Sequence, residues 1–232
     1  MTNKRHGRMK RGIFAGLGIF MGLIILSQAA WAGNYSEEQE LVDKATIVIQ
    51  RILSDQQMGW ARAHLQSAEA IIIFPSFMKG AFIVGGEGGS GVALARDAKT
   101  GEWSYPAFFT MGSVSFGLQI GGKISELLLM VMTRKGLDAL LSASIKLGGD
   151  VGVAAGPVGV GAKGKLTDIV AYAHSKGAFA GISLDGGVLA PRNDYNEAYY
   201  GKPVPVSDIL IRRVVKNPGA DHLREVVSKI RK

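Results

Sequence analysis

A glycine-punctuated apolar stretch from about Ala68 to Gly201 constrains this chain most: it carries most of the 32 glycines, with short β-branched and aromatic runs between them. Glycine supplies the positive-φ positions that tight hairpins need, so the stretch reads as strands and turns. The clearest alternation lies at Ser113 to Ile120, where Val114, Phe116, Leu118 and Ile120 face one way and Ser113, Ser115, Gly117 and Gln119 the other. Leu127 to Met132 has no polar face and is expected to be a central strand. Ala70 to Phe74 is another buried run, which Pro75 is expected to stop. Lys79 to Val84 and Val92 to Arg96 flank a glycine-rich segment and read as a hairpin about it. Further strands are expected at about 144–154, 157–164, 166–174 and 178–190.

Helical patterning brackets this core. Ser36 opens a helix with Gln39 completing a capping box, and Leu41, Ala45, Val48, Ile49, Ile52 and Leu53 recur on one face. Its first turn is acidic (Glu37, Glu38, Glu40), whereas a helix lying in a membrane interface wants a basic polar face, so core packing is expected. A short helix is expected over Gln57–Ala68 and another over Arg134–Ser142, capped by Thr133. Ser207 is read as capping a helix to Lys216, and Asn217-Pro218 as starting a last one to Ile230. No linker-like run divides the chain after position 32. The expected fold is therefore a single α+β domain: an antiparallel β-rich core, sandwich or barrel-like, flanked by N-terminal and C-terminal helices.

Residues 1–32 read as a secretory signal. Lys4, Arg5, Arg8, Lys10 and Arg11 precede an apolar run from Gly12 to Leu26, and Ala30-Trp31-Ala32 is a small-x-small cleavage site, so a mature domain over 33–232 is expected. The apolar run is shorter than the roughly 20 residues that span a bilayer. There is no cysteine, hence neither a lipidation site nor a disulfide. The expected location is periplasmic or secreted, with peripheral membrane contact. The formal charge of +8 includes five basic residues of the signal; the remaining 22 basic and 19 acidic residues leave +3. That is too weak a footprint for nucleic acid, but it permits attraction to an anionic membrane surface.

Chemical motifs are few. Gly86-x-Gly88-x-x-Gly91 and Gly159-x-Gly161-x-x-Gly164 match the dinucleotide pattern, but the first precedes Val92-Ala93-Leu94-Ala95, a strand rather than the helix the motif must open. Gly117-x4-Gly122-Lys123 and Gly159-x4-Gly164-Lys165 approach a phosphate loop but continue with Ile124 and Leu166, where Ser or Thr should hold magnesium. His64, His174 and His222 lack metal-ligand spacing. A hydrolase site can be drawn from Ser175, His174 and Asp168 or Asp185, yet no G-x-S-x-G elbow accompanies it. No catalysis, cofactor or metal is expected.

Three tracts have more individuality than composition requires: Gly101-Glu102-Trp103-Ser104-Tyr105-Pro106-Ala107-Phe108, then Ser175 to Leu184 (SKGAFAGISL), then Asn196-Glu197-Ala198-Tyr199-Tyr200-Gly201. With Ala70-Ile71-Ile72-Ile73-Phe74-Pro75, Gly85-Gly86, Gly117-Leu118-Gln119-Ile120-Gly121 and Val153 to Gly159, they occur in an order that resembles the SYLF domain, over roughly Glu37 to Ile230. The resemblance implies binding rather than chemistry: acidic lipids, including phosphoinositides, in several eukaryotic members, and actin in fungal ones. Bacterial members resemble this chain most. In eukaryotic relatives membrane contact is linked to an amphipathic segment ahead of the domain, a place the signal occupies here.

On this reading the chain binds acidic phospholipids or their headgroups at the bacterial cell envelope. The alternatives are an envelope protein-interaction or scaffold module and, third, the hydrolase. Within the SKGAFAGISL tract, Lys176 reads either as a solvated lysine beside turn glycines or as a phosphate partner at an apolar rim next to Phe179. Lys79, after Pro75-Ser76-Phe77-Met78, and Arg134-Lys135, at a strand-to-helix join, complete the candidate lipid contacts.

Overall fold

Leu127, Leu129 and Val131 belong to one buried cluster and Leu128 and Met130 to another, so the run without a polar face is a strand covered on both sides. The computed structural model describes residues 36–81, 84–116, 121–155, 167–175, 178–179 and 184–230. The elements, in order, begin with α1 (Glu37–Ser54), a 3-10 turn (Gln56–Met58), α2 (Gly59–Ser67), β1 (Ala70–Ala81), β2 (Val84–Ala95), β3 (Ala107–Phe116) and β4 (Gly121–Val131). Next come α3 (Arg134–Ala139), β5 (Ile145–Lys146), β6 (Val153–Ala155), β7 (Ile169–Ser175), β8 (Ala178–Phe179) and β9 (Val188–Pro191). The chain continues through α4 (Asn193–Tyr200), α5 (Val206–Leu210), a 3-10 turn (Pro218–Ala220) and α6 (Asp221–Ser228).

The strands form one sheet in the order β5-β9-β3-β2-β1-β4-β7-β6, with β8 also pairing β7. All these pairings are antiparallel except β6 with β7. β5 and β6 stand at opposite ends of that order, yet residues 147–152 join them. Seven intervals of about 4.8 Å would hold them about 34 Å apart in a flat sheet. The connection reaches about 25 Å at full stretch, and it contains a turn at Gly148 with φ +80°. The sheet must curl, and the expected α+β fold takes its barrel-like form, as half a barrel.

One face, through Ile71, Ile73, Val92, Leu94, Phe108 and Leu128, packs on Val42, Ala45, Val48, Ile49 and Ile52 of α1, Leu65 of α2 and Leu223, Val226 and Val227 of α6. The other, through Ile72, Phe74, Phe109 and Leu129, is covered by Leu137, Leu147, Leu189, Val206, Ile209 and Leu210. Val42 joins the buried face of α1, and the expected Leu41 packs against the same cluster, partly buried. Among the described residues, no helix is long and apolar enough to cross a membrane.

Three strand expectations change. Pro75 does not stop β1: the strand continues to Ala81, and the register shifts between Ile73 and Met78 against β2 and between Phe74 and Phe77 against β4. A bulge tolerates the missing N–H. The glycine-rich segment is not the hairpin turn but lies inside β2. A Cβ at Gly89 would stand 2.5 Å from the Ser76 carbonyl oxygen, and one at Gly91 would stand 2.5 Å from that of Ile73. The bulged β1 thus presses on its neighbour, and only glycine admits the approach. The 144–154 and 178–190 strands each split into two short pieces.

Two helical expectations change as well. α5 ends at Leu210 instead of Lys216, because Arg213 adopts φ 57° and turns the chain. Its N-cap position is Pro205 rather than Ser207. The strand expected at 157–164 lies outside the described residues.

Candidate functional site

The tracts GEWSYPAF and NEAYYG meet. Asn196, fully buried, accepts the Phe108 backbone N–H at Oδ1 (2.9 Å), and the Tyr200 hydroxyl donates to the Pro106 carbonyl (2.6 Å). The Phe108 ring meets Tyr195 and Tyr199 edge-on, at 5.9 and 5.1 Å between centroids. Burial raises the pKa of both Tyr199 and Tyr200, so both hydroxyls stay protonated donors. Tyr105 donates to Asp221 of α6 (2.7 Å) beneath the Arg224 guanidinium, and Arg224 Nε donates to the Trp103 carbonyl (3.1 Å). These residues lock α4 and α6 onto β3; their work is architectural.

Beyond that lock opens a cleft of about 740 Å³, lined by Glu69, Arg96, the 97–101 loop, Arg134 and Arg213, with Ala68, Leu137, Leu210, Ile211 and Ile230 as its apolar part. Its size falls in the range of ligand pockets. Four cationic side chains face two carboxylates.

Two of the cations are structural. Arg96 donates to the carbonyls of Gln66 (2.8 Å), Leu65 (3.3 Å) and Ile230 (3.2 Å), joining the ends of α2 and α6. Arg213 donates to the Glu102 carbonyl (3.0 Å) and pairs with Asp97 (3.3 Å). Asp97 Oδ1 also accepts the backbone N–H groups of Lys99 and Thr100, at 2.8 and 2.9 Å. The Thr100 and Lys99 bonds, with Arg213 adding to them, hold its carboxyl below the usual carboxylate pKa.

The other two are open. Among the described residues the Lys99 ammonium meets no acceptor, and Arg134 pairs only with Asp138 (2.9 Å), both side chains being more than half exposed.

The expected contact residues do not gather at one place. Arg134 lines the cleft. Lys135 turns to Asp168 (3.3 Å), whose other oxygen accepts the Thr133 hydroxyl (2.6 Å). Thr133 in turn caps Gly136 N (3.1 Å), as expected. Lys79 stands on β1 opposite Glu87 and Lys123, far from α3 along the sheet. Phe179 stands on β8 opposite His174. Lys176 lies outside the described residues, as do the Gly159 motifs and residues 1–35.

Gly86, Gly88 and Gly91 lie in β2, so that dinucleotide pattern opens no helix. The hydrolase triad drawn with Asp168 is not assembled either. Asp168 precedes β7 and His174 lies near its far end, about 20 Å along a strand. Arg96, Lys99 and Arg213 escaped the sequence reading, because residues 117 apart carry no local sign that they converge.

Residues 112–230 match the family model Ysc84, described as Las17-binding protein actin regulator. The chain belongs to this family, the SYLF proteins. It is 33% identical over 174 residues to LAS seventeen-binding protein 3 of Saccharomyces cerevisiae, covering 70% of this chain and 37% of that protein. Protein YSC84 of the same yeast is 32% identical over 171 residues, covering 70% of this chain and 36% of its own. SH3 domain-containing YSC84-like protein 1 of Bos taurus is 30% identical over 171 residues, covering 71% and 50%. The chain thus spans half or less of the length of these curated relatives. One of these names describes a Las seventeen-binding protein and another an SH3 domain-containing protein.

Proposed function

We propose that this SYLF domain is a non-catalytic module that binds acidic phospholipid headgroups reversibly, at the bacterial cell envelope to which its exported N-terminal segment would deliver it. The observation that carries the reading is the cleft: cationic and apolar side chains share one lining, which matches an anionic amphiphile better than a purely polar ligand. Lysine and arginine would orient a phosphate, and apolar burial would supply most of the affinity.

The test is native mass spectrometry with lipid extraction on protein purified from a membrane-containing host, followed by association with anionic vesicles at low and high salt. A stoichiometric phospholipid and salt-weakened association are expected. An empty protein that ignores anionic vesicles at low salt would overturn the reading.

A second reading, a protein-interaction module, draws on the names of the relatives, which are described as Las17-binding or SH3 domain-containing. It predicts a stable protein partner or oligomer and no bound lipid.

A further inference from the structure

The four cations of the cleft are not equivalent. Arg96 and Arg213 spend their donors on backbone carbonyls of the α2 and α6 ends and of the loop after β2. Their Nε atoms are buried and unpartnered, out of reach of anything entering from outside. Arg213 is held with a positive φ of 57°, a strained backbone for a residue with a Cβ, which persists only where surrounding contacts over-determine it. Here those contacts are the Glu102 carbonyl and Asp97, so the strained residue anchors the loop that carries Lys99.

That loop is further fixed by Asp97, whose carboxylate holds the backbone of Lys99 and Thr100 and is itself neutralised by Arg213. Among the described residues Lys99 is thus an unpaired ammonium on a braced loop. Arg134 is its counterpart on α3. Its ion pair among the described residues, with Asp138 four residues on, is exposed and easily exchanged. The α3 N-terminus itself is already occupied by the Thr133 cap, so the side chain and not the helix end is available. The same cleft is lined by Leu137 and Leu210, nearly fully buried, and by the exposed Ile211.

Resting on the lipid-binding reading above, we infer that Lys99 and Arg134 are the phosphate contacts of the cleft, that Arg96 and Arg213 are positioning residues, and that the ligand is the phosphate of an anionic phospholipid whose proximal chain lies over the exposed Ile211. Binding exchanges Asp138 for the phosphate on Arg134, so Asp138 acts as a built-in competitor.

The experiment titrates the full chain with dihexanoylphosphatidylglycerol below its micelle concentration, by calorimetry and by NMR shifts. Dihexanoylphosphatidylcholine and inorganic phosphate serve as comparison probes at matched ionic strength. Lys99→Gln and Arg134→Gln are each expected to weaken the anionic lipid about fivefold. Asp138→Asn should tighten it about twofold. Lys44→Gln, on α1 and paired with Glu40, should leave it unchanged.

Equal weakening by Lys44→Gln, or none by Lys99→Gln and Arg134→Gln while the wild type still binds, overturns this assignment and leaves lipid binding standing. Inorganic phosphate binding as tightly as the lipid overturns the apolar half of the site and identifies a free-phosphate site. A wild type that binds none of the probes overturns the site; vesicle association in the earlier test then decides separately whether the lipid reading falls with it.

Discussion

The guanidinium of Arg96 lies 4.5 Å over the indole ring of Trp103. From that position it donates to three carbonyls at the ends of α2 and α6, so one side chain ties two helices separated by more than 150 residues to the end of β2. Burial lowers its pKa, but an arginine starts so high that it stays charged.

Arg96→Ala is expected to lower unfolding stability by about 3 kcal/mol, through the lost cation–π contact and the orphaned carbonyls. Arg96→Lys should recover less than half of this, because an ammonium cannot reproduce the planar fork. Trp103→Phe should cost less than Arg96→Ala. It keeps an aromatic face and removes an indole N–H that is buried without a partner. Urea titration of the three variants checks the order.

Gly91→Ala brings a methyl to 2.5 Å from the Ile73 carbonyl and 2.7 Å from the Phe74 ring, where backbone must move. A loss of about 3 kcal/mol is expected. Gly186→Ala meets nothing within 4 Å and strains only its φ of +85°, at about 1 kcal/mol. Thermal melts of the two variants separate steric from conformational need for glycine.

Asp168 links three segments through Thr133, Gly152 N–H and Lys135. Burial acts to raise its pKa, but these bonds together hold it below the ordinary carboxylate value. A folded pKa below the unfolded value of about 3.9 means its stabilisation is complete above that pH and fades as pH falls through the folded value. Asp168→Asn should therefore lower stability at neutral pH and flatten the acid limb of stability against pH. Urea midpoints measured from neutral pH downward test this; an unchanged acid limb would refute it.

Asn196→Ala removes the acceptor of the Phe108 N–H in a fully buried site. The orphaned donor is expected to cost about 2 kcal/mol. Hydrogen exchange should show local loss of protection at Phe108 and along α4, beyond any global change.

Periodicity alone settled a good part of this protein. The apolar run at Leu127–Val131, the cap at Thr133, the buried stripe of α1 and the α+β class are local consequences of side-chain spacing, and each is legible without knowing what lies across the core. The SYLF tracts were equally legible, because their aromatic and glycine residues are unusual in short windows. Tertiary structure decided the rest. Pro75 became a bulge instead of a stop because β2 and β4 pair with β1 on both sides of it, and the glycines facing that bulge became close-approach positions inside a strand. α5 ended early because Arg213 found its partners on the loop after β2, and α4 formed where Asn196 could reach the Phe108 N–H. The cleft belongs wholly to this second class. Arg96, Lys99, Arg134 and Arg213 converge only when a sheet curls and two helices end against it, and that convergence leaves no period in the chain.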